Sequence, residues 1–73
     1  MIITTIGNII EILLRRQDSV TSEDVKMLLK RANIQISDSE FIKALMILEI
    51  YKKIHVKKIK REGRDVFQIT RRR

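Results

Sequence analysis

The sequence predicts an α+β fold, mostly α, in which three helices are followed by a C-terminal two-stranded β-hairpin. Two capping-box patterns predict helices, T-x-x-D at Thr21 and S-x-x-E at Ser37, and apolar residues follow each at helical spacing. A change to a two-residue period after Tyr51, with Gly63 in the turn, predicts the hairpin. The chain has 73 residues, no cysteine, no proline and no linker-like stretch, so we expect a single domain over residues 1–73.

The first helix is predicted over about residues 5–16, where apolar residues recur at helical spacing. Thr4 or Thr5 can serve as its N-cap, and residues 17–19 interrupt the pattern. The expected core stripe is wider than a lone amphipathic helix needs, which is typical of a helix that also contacts a partner. It comprises Ile6, Ile9, Ile10 and Leu13, with Ile12 and Leu14 beside them.

The second helix is predicted over about residues 22–32, with Thr21 as its N-cap and Asp24 completing the capping box. Asn33 is a plausible C-terminal stop because asparagine tolerates the left-handed conformation. The expected buried face is Val25, Leu28, Leu29 and Ala32, and the expected outer face is Lys26, Met27, Lys30 and Arg31.

The third helix is predicted over about residues 38–51, and Tyr51 is expected to pack at its end. Its buried side should consist of Phe41, Ala44, Leu45 and Leu48. The opposite side receives Ser39, Lys43, Met46, Ile47 and Ile50. Since Met46, Ile47 and Ile50 make this second side apolar as well, we expect them to form a partner or dimer surface.

The hairpin is predicted over about residues 54–70, with its turn at 61–64. Phe67 and Ile69 should face inward, whereas His55 should be exposed. The apolar–polar alternation shifts phase at Lys58 and Ile59, which predicts a β-bulge there.

Positive charge is concentrated in the hairpin region. Residues 52–73 contain ten basic and two acidic residues, a net charge of +8, whereas the preceding 51 residues carry a net charge of −1. A local potential of this sign attracts polyanions, so nucleic acid is the expected partner. The expected contact residues in this segment are Lys57, Lys58, Lys60, Arg61, Arg64, Arg71, Arg72 and Arg73.

One ordered set of residues carries a resemblance. It consists of Ala44, Leu45, Leu48 and Glu49 in the third helix, then Ile54, Gly63, Arg64, Phe67, Ile69 and Thr70 in the hairpin. In this order the chain resembles the winged helix-turn-helix domain of many bacterial and archaeal transcription regulators. The resemblance implies a third helix in the major groove of double-stranded DNA, with Ser39 and Lys43 as its polar readers. It also implies that the hairpin is a wing whose cations contact phosphates or the minor groove.

Other functions remain open at this stage. The chain is expected to form a homodimer through the apolar side of its third helix, because two-fold proteins match palindromic operators. The same surface could instead dock on a larger protein partner. A small RNA-binding or ribosome-associated protein would also suit the basic composition. The residues form no catalytic constellation and no cofactor or metal site, so we do not expect an enzyme. Without an apolar run long enough to cross a bilayer or a signal-peptide pattern, a cytoplasmic protein with no membrane partner is expected.

Overall fold

The computed structural model describes residues 2–51 and 53–72. It contains three α-helices and a three-stranded antiparallel sheet, so the predicted α+β class is confirmed. The strand order across the sheet is β1–β3–β2. In chain order the elements are α1 (Ile2–Leu14), β1 (Ser19–Thr21), α2 (Ser22–Arg31), α3 (Asp38–Ile50), β2 (Ile54–Arg61) and β3 (Arg64–Arg71).

Helix α1 begins earlier than the sequence pattern suggests. Thr4 and Thr5 lie inside the helix, so the prediction that one of them is its N-cap is wrong. The half-buried side chains of Ile2 and Ile3 pack against the core, and this packing favours an additional helical turn over a local cap. At the other end the helix stops at Leu14, two residues before the expected end.

Helices α2 and α3 begin where their capping boxes predict. The Thr21 and Ser37 hydroxyls accept from the backbone N–H groups of Asp24 and Glu40, whose carboxylates accept in return from the backbone of the capping residues. These reciprocal bonds satisfy N–H groups that a helix start otherwise leaves unpaired. Both capping-box predictions are therefore confirmed.

The end of α2 is a Schellman motif centred on Asn33. Asn33 has a φ of 58°, its N–H donates to the Lys30 carbonyl, and the Ile34 N–H donates to the Leu29 carbonyl. The predicted stop at Asn33 is thus confirmed. Ala32, expected on the buried face, is exposed; it is the C-cap, where the regular helix ends.

The sheet has one strand more than the predicted two-stranded hairpin. β1 pairs antiparallel with β3, with Val20 opposite Ile69, and extends the hairpin on the side away from β2. A three-residue strand is too short to show a period of its own. β1 could therefore not be recognised before its distant partner strand was placed.

The turn between β2 and β3 lies at residues 61–64, as predicted, and has two central residues. Glu62 and Gly63 both have positive φ, 52° and 78°, as a type I′ turn requires. The predicted bulge is wrong, because the pairing runs without interruption from Ile54 opposite Arg71 to Arg61 opposite Arg64.

Ile59 explains the phase shift that suggested a bulge. It pairs directly with Val66, and in a strand this position faces away from Phe67 and Ile69. Val66 is buried and Ile59 is half-buried, so the hairpin carries a second apolar pair on its other face. The predicted inward face also holds, with Ile69 fully buried and Phe67 half-buried.

The core lies where the three helices meet the sheet. Among the predicted core residues, Ile9, Leu13 and Leu28 are half-buried, whereas Ile12 is exposed. Tyr51, expected to pack at the end of α3, is also exposed, so that prediction is wrong. The buried cluster comprises Ile6, Ile10, Leu14, Val20, Val25, Leu29, Phe41, Ala44, Leu45, Leu48, Ile54 and Ile69.

No helix in the described part of the chain could cross a membrane. The longest, α1 and α3, have 13 residues each, against the about 20 needed to span the hydrocarbon core.

Candidate nucleic-acid interface

The cations of β2 are distributed over both faces of the hairpin. Lys58 and Lys60 lie on the same face of the strand as Val56, which packs beside α3. Lys57 and Arg61 lie on the opposite face, together with exposed His55. A polyanion could therefore meet positive charge on either side of the hairpin.

Three of the predicted contact residues are already engaged within the protein. Lys60 Nζ lies 3.6 Å from a carboxylate oxygen of its cross-strand partner Asp65. Arg64 forms a 2.8 Å ion pair with Glu23 in the first turn of α2. The Arg71 guanidinium donates to the carbonyl of Leu14, where it satisfies an acceptor at the C-terminus of α1.

Lys57, Lys58 and Arg61 are different. All three side chains are exposed, and none of them forms an ion pair with an acidic residue that the structure describes. We call these three residues the free hairpin cations. They are the hairpin cations that can meet an external anion without giving up a partner among the described residues.

The tip of the hairpin carries two like charges side by side. Arg61 is directly opposite Arg64 in the antiparallel register, an arrangement that ordinarily destabilises a hairpin. Glu23 offsets the charge of Arg64 and also ties the tip to α2. This leaves Arg61 as the unpaired cation at the tip, next to the exposed Glu62 of the turn.

Helix α3 presents an exposed stripe beside the hairpin. Its polar members, Ser39 and Lys43, are both exposed as predicted. Its apolar members are Ile42, Met46 and Ile50, which are 36%, 52% and 74% exposed. Ile47, which was expected on this surface, is half-buried, and Ile42 takes its place there.

The acidic side chains of α3 are each occupied by a partner. Asp38 receives a 2.9 Å hydrogen bond from Lys26 Nζ, and Glu40 belongs to the Ser37 capping box. Glu49 accepts from the backbone N–H of Val56 at 3.3 Å. Lys26 therefore offsets the charge of Asp38, whereas Glu40 and Glu49 accept from neutral groups and keep their negative charge.

The stripe on α3 and the hairpin form one continuous surface. Ile42, Met46 and Glu49 line a cavity of about 10 Å³ together with Val56 and Phe67 of the hairpin. Such a volume is at the lower limit for a single water molecule. The hairpin therefore packs directly on α3, and Lys58, paired with Phe67, lies next to the stripe.

The hairpin is held in place by bonds at both edges of the sheet. On the β2 edge, Glu49 accepts from Val56 as described. On the β3 edge, beyond the end of β1, the Ser22 hydroxyl accepts from the backbone N–H of Phe67 at 3.1 Å. The signal for Ser22 is weak in the sequence, because a serine directly after an N-cap has no distinctive spacing.

The remaining predicted contact residues, Arg72 and Arg73, lie at the C-terminal end of the chain. Arg72 is exposed beyond the end of β3, and Arg73 lies outside the described residues. Within the described residues, no group of three or more His, Cys, Asp or Glu side chains is placed to hold a metal ion.

Comparisons with protein-family models, with curated proteins and with solved structures each found no significant match for this chain.

Proposed function

We propose that this protein binds double-stranded DNA and acts as a transcription regulator of the winged-helix type, with the β2–β3 hairpin as its wing. The observation that carries the proposal is the set of free hairpin cations, Lys57, Lys58 and Arg61. They lie on a hairpin that packs next to the exposed stripe of α3. Cations without internal partners are the groups that neutralise phosphates and release counterions on binding.

The architecture supports a division of labour between α3 and the hairpin. An α-helix fits the major groove of B-DNA, and a hairpin beside it reaches the adjoining backbone or minor groove. α3 is joined to α2 by a short connection over residues 32–37, and Lys26 bridges the two helices by bonding Asp38 and lying over the Phe41 ring. A helix held in this way can present Ser39 and Lys43 in a fixed orientation.

The test is a fluorescence-anisotropy titration of a labelled duplex DNA pool and a labelled RNA at several salt concentrations. The proposal requires duplex binding whose affinity falls steeply with salt, because phosphate contacts dominate. Preference for the RNA would favour the alternative of an RNA-binding protein. Absence of binding to both at low salt would refute the proposed function.

A second candidate function is a protein-interaction module or homodimer. It is favoured by Ile50 and Tyr51, which are both largely exposed at the C-terminal end of α3, one turn beyond Met46. Sedimentation equilibrium of the protein and of an Ile50→Asp variant tests it. A dimer that dissociates in the variant supports this surface, whereas a monomer at all concentrations argues against the homodimer.

A further inference from the structure

The exposed stripe of α3 has an unusual composition for a helix that reads DNA. The helix contains no Arg, Asn or Gln, the side chains that form paired hydrogen bonds with guanine or adenine edges. Its three acidic side chains are engaged with Lys26, Ser37 and Val56. What remains beside the hairpin is apolar, namely Ile42 and Met46, with Lys43 between them.

A second copy of the chain is a poor occupant for this part of the stripe. Even together with Ile50 and Tyr51, Ile42 and Met46 expose on the order of 500 Å², against about 800 Å² per partner in a standard interface. Pairing two copies here would also bring Lys43 and Lys58 of each close to those of the other, and like charges across an interface oppose association. Charge complementarity instead favours an anionic partner with apolar groups at the right depth.

Double-stranded DNA offers one such group. The C5-methyl of thymine is the apolar feature of the major-groove base edges, and it is contacted by apolar side chains. We propose that Ile42 and Met46 contact thymine methyl groups, so that the protein prefers A·T-rich duplexes. This inference rests on the proposed function, and it names the DNA class that α3 would select.

The position of the cations is consistent with this arrangement. Lys58 lies beside the Ile42–Met46 part of the stripe through its pairing with Phe67, where it can reach the phosphates that border the groove. Phosphate contacts fix the register of a protein on the duplex, whereas base contacts choose the sequence. The cations would then supply affinity, and the two apolar side chains would supply the preference for A·T base pairs.

The experiment compares a short duplex of alternating A·T pairs with the same duplex in which deoxyuridine replaces every thymidine. This exchange removes the major-groove methyl groups and leaves base pairing and phosphates in place. We expect the deoxyuridine duplex to bind more weakly by about four-fold for each methyl group that is contacted. An Ile42→Ala/Met46→Ala variant should bind both duplexes equally.

The matched control is Met27→Ala on the outer face of α2. Met27 is 53% exposed, against 52% for Met46, so the two truncations remove equally accessible methionines from different helices. Met27→Ala should keep the full preference for thymidine. Since all these side chains are at least partly exposed, circular dichroism should show folded variants.

The outcomes separate the inference from the function on which it rests. Equal affinity of the unaltered protein for both duplexes overturns the thymine contact and leaves DNA binding intact. A preference that persists in the Ile42→Ala/Met46→Ala variant also overturns it, because the methyl groups would then be sensed elsewhere or through DNA shape. Failure to bind either duplex at low salt refutes the proposed function itself.

Discussion

The free hairpin cations can be removed together without disturbing the fold. A Lys57→Ala/Lys58→Ala/Arg61→Ala variant lacks three exposed, charged side chains. In the unaltered protein none of them forms an ion pair among the described residues. The hydrogen bonds that hold the hairpin, from Phe67 to Ser22 and from Val56 to Glu49, remain. We therefore expect the variant to fold and to lose affinity for DNA.

The size of the effect follows from counterion release. Each phosphate neutralised contributes about 0.9 to the slope of log affinity against log salt, so three lost contacts lower the slope by about 2.7. When salt rises from about 50 to 200 mM, both proteins lose affinity. The loss of the unaltered protein should be about 40 times larger than that of the variant. Anisotropy titrations of one duplex at several salt concentrations measure both slopes.

A control variant separates local contact from overall charge. Arg16→Ala/Lys30→Ala/Arg31→Ala lowers the net charge by the same three units, at exposed positions outside the hairpin and α3. Its slope should stay close to that of the unaltered protein. If the hairpin variant keeps its slope, or if both variants lose it equally, the assignment of DNA contact to the hairpin is refuted.

Three further predictions concern stability and are measured by urea denaturation. Ser22→Ala leaves the Phe67 N–H without its acceptor and should cost about 1–3 kcal/mol. Ser39→Ala removes only an exposed 3.3 Å hydroxyl contact with Ser37 and should cost less than about 0.5 kcal/mol; equal losses would contradict the role of Ser22. Gly63→Ala meets no atom within 4 Å but must adopt a φ of 78°, so a loss of about 1–2 kcal/mol is expected, and no loss would mean that the turn relaxes. Phe41→Ala empties a fully buried site and should cost about 3–5 kcal/mol, so a variant of near-normal stability would place the core elsewhere.

The predictable parts of the fold are those determined by residues close together in the sequence. Each capping box needs only four consecutive positions, so Thr21 and Ser37 marked the helix starts correctly. Asn33 and Gly63 were predictable for the same reason, since a left-handed conformation favours few residue types. The start of α1 was missed because distant packing of Ile2 and Ile3 decides it.

The candidate site was predictable in composition but not in detail. The charge run identified the hairpin cations, yet which of them are neutralised depends on contacts between elements. Arg64 meets Glu23, which is far away in sequence, and Arg71 meets Leu14, 57 residues earlier. The exposure of Ile42 was not predictable, because its position between the two faces of α3 does not indicate whether the sheet covers it.

The central position of β3 has a consequence for how the chain folds. Its bonds to the rest of the protein span long stretches, 49 residues from Gln68 to Ser19 and 57 from Arg71 to Leu14. Closing such loops costs conformational entropy before the contacts that stabilise the closed chain have formed. The hairpin can form locally with a two-residue turn, but the three helices reach a complete core only when the hairpin docks on them.

Docking of the hairpin therefore both completes the core and brings Lys58 alongside α3. A duplex that bound only this docked state would stabilise the folded protein, by about 2.7 kcal/mol at one hundred times its dissociation constant. The core of a domain of this size contributes about 5 kcal/mol or less to the free energy of unfolding. Bound DNA would therefore add a large fraction of that stability. Folding and DNA binding would then be linked equilibria. Protein molecules without bound DNA would unfold more often and would therefore be cleaved faster by proteases.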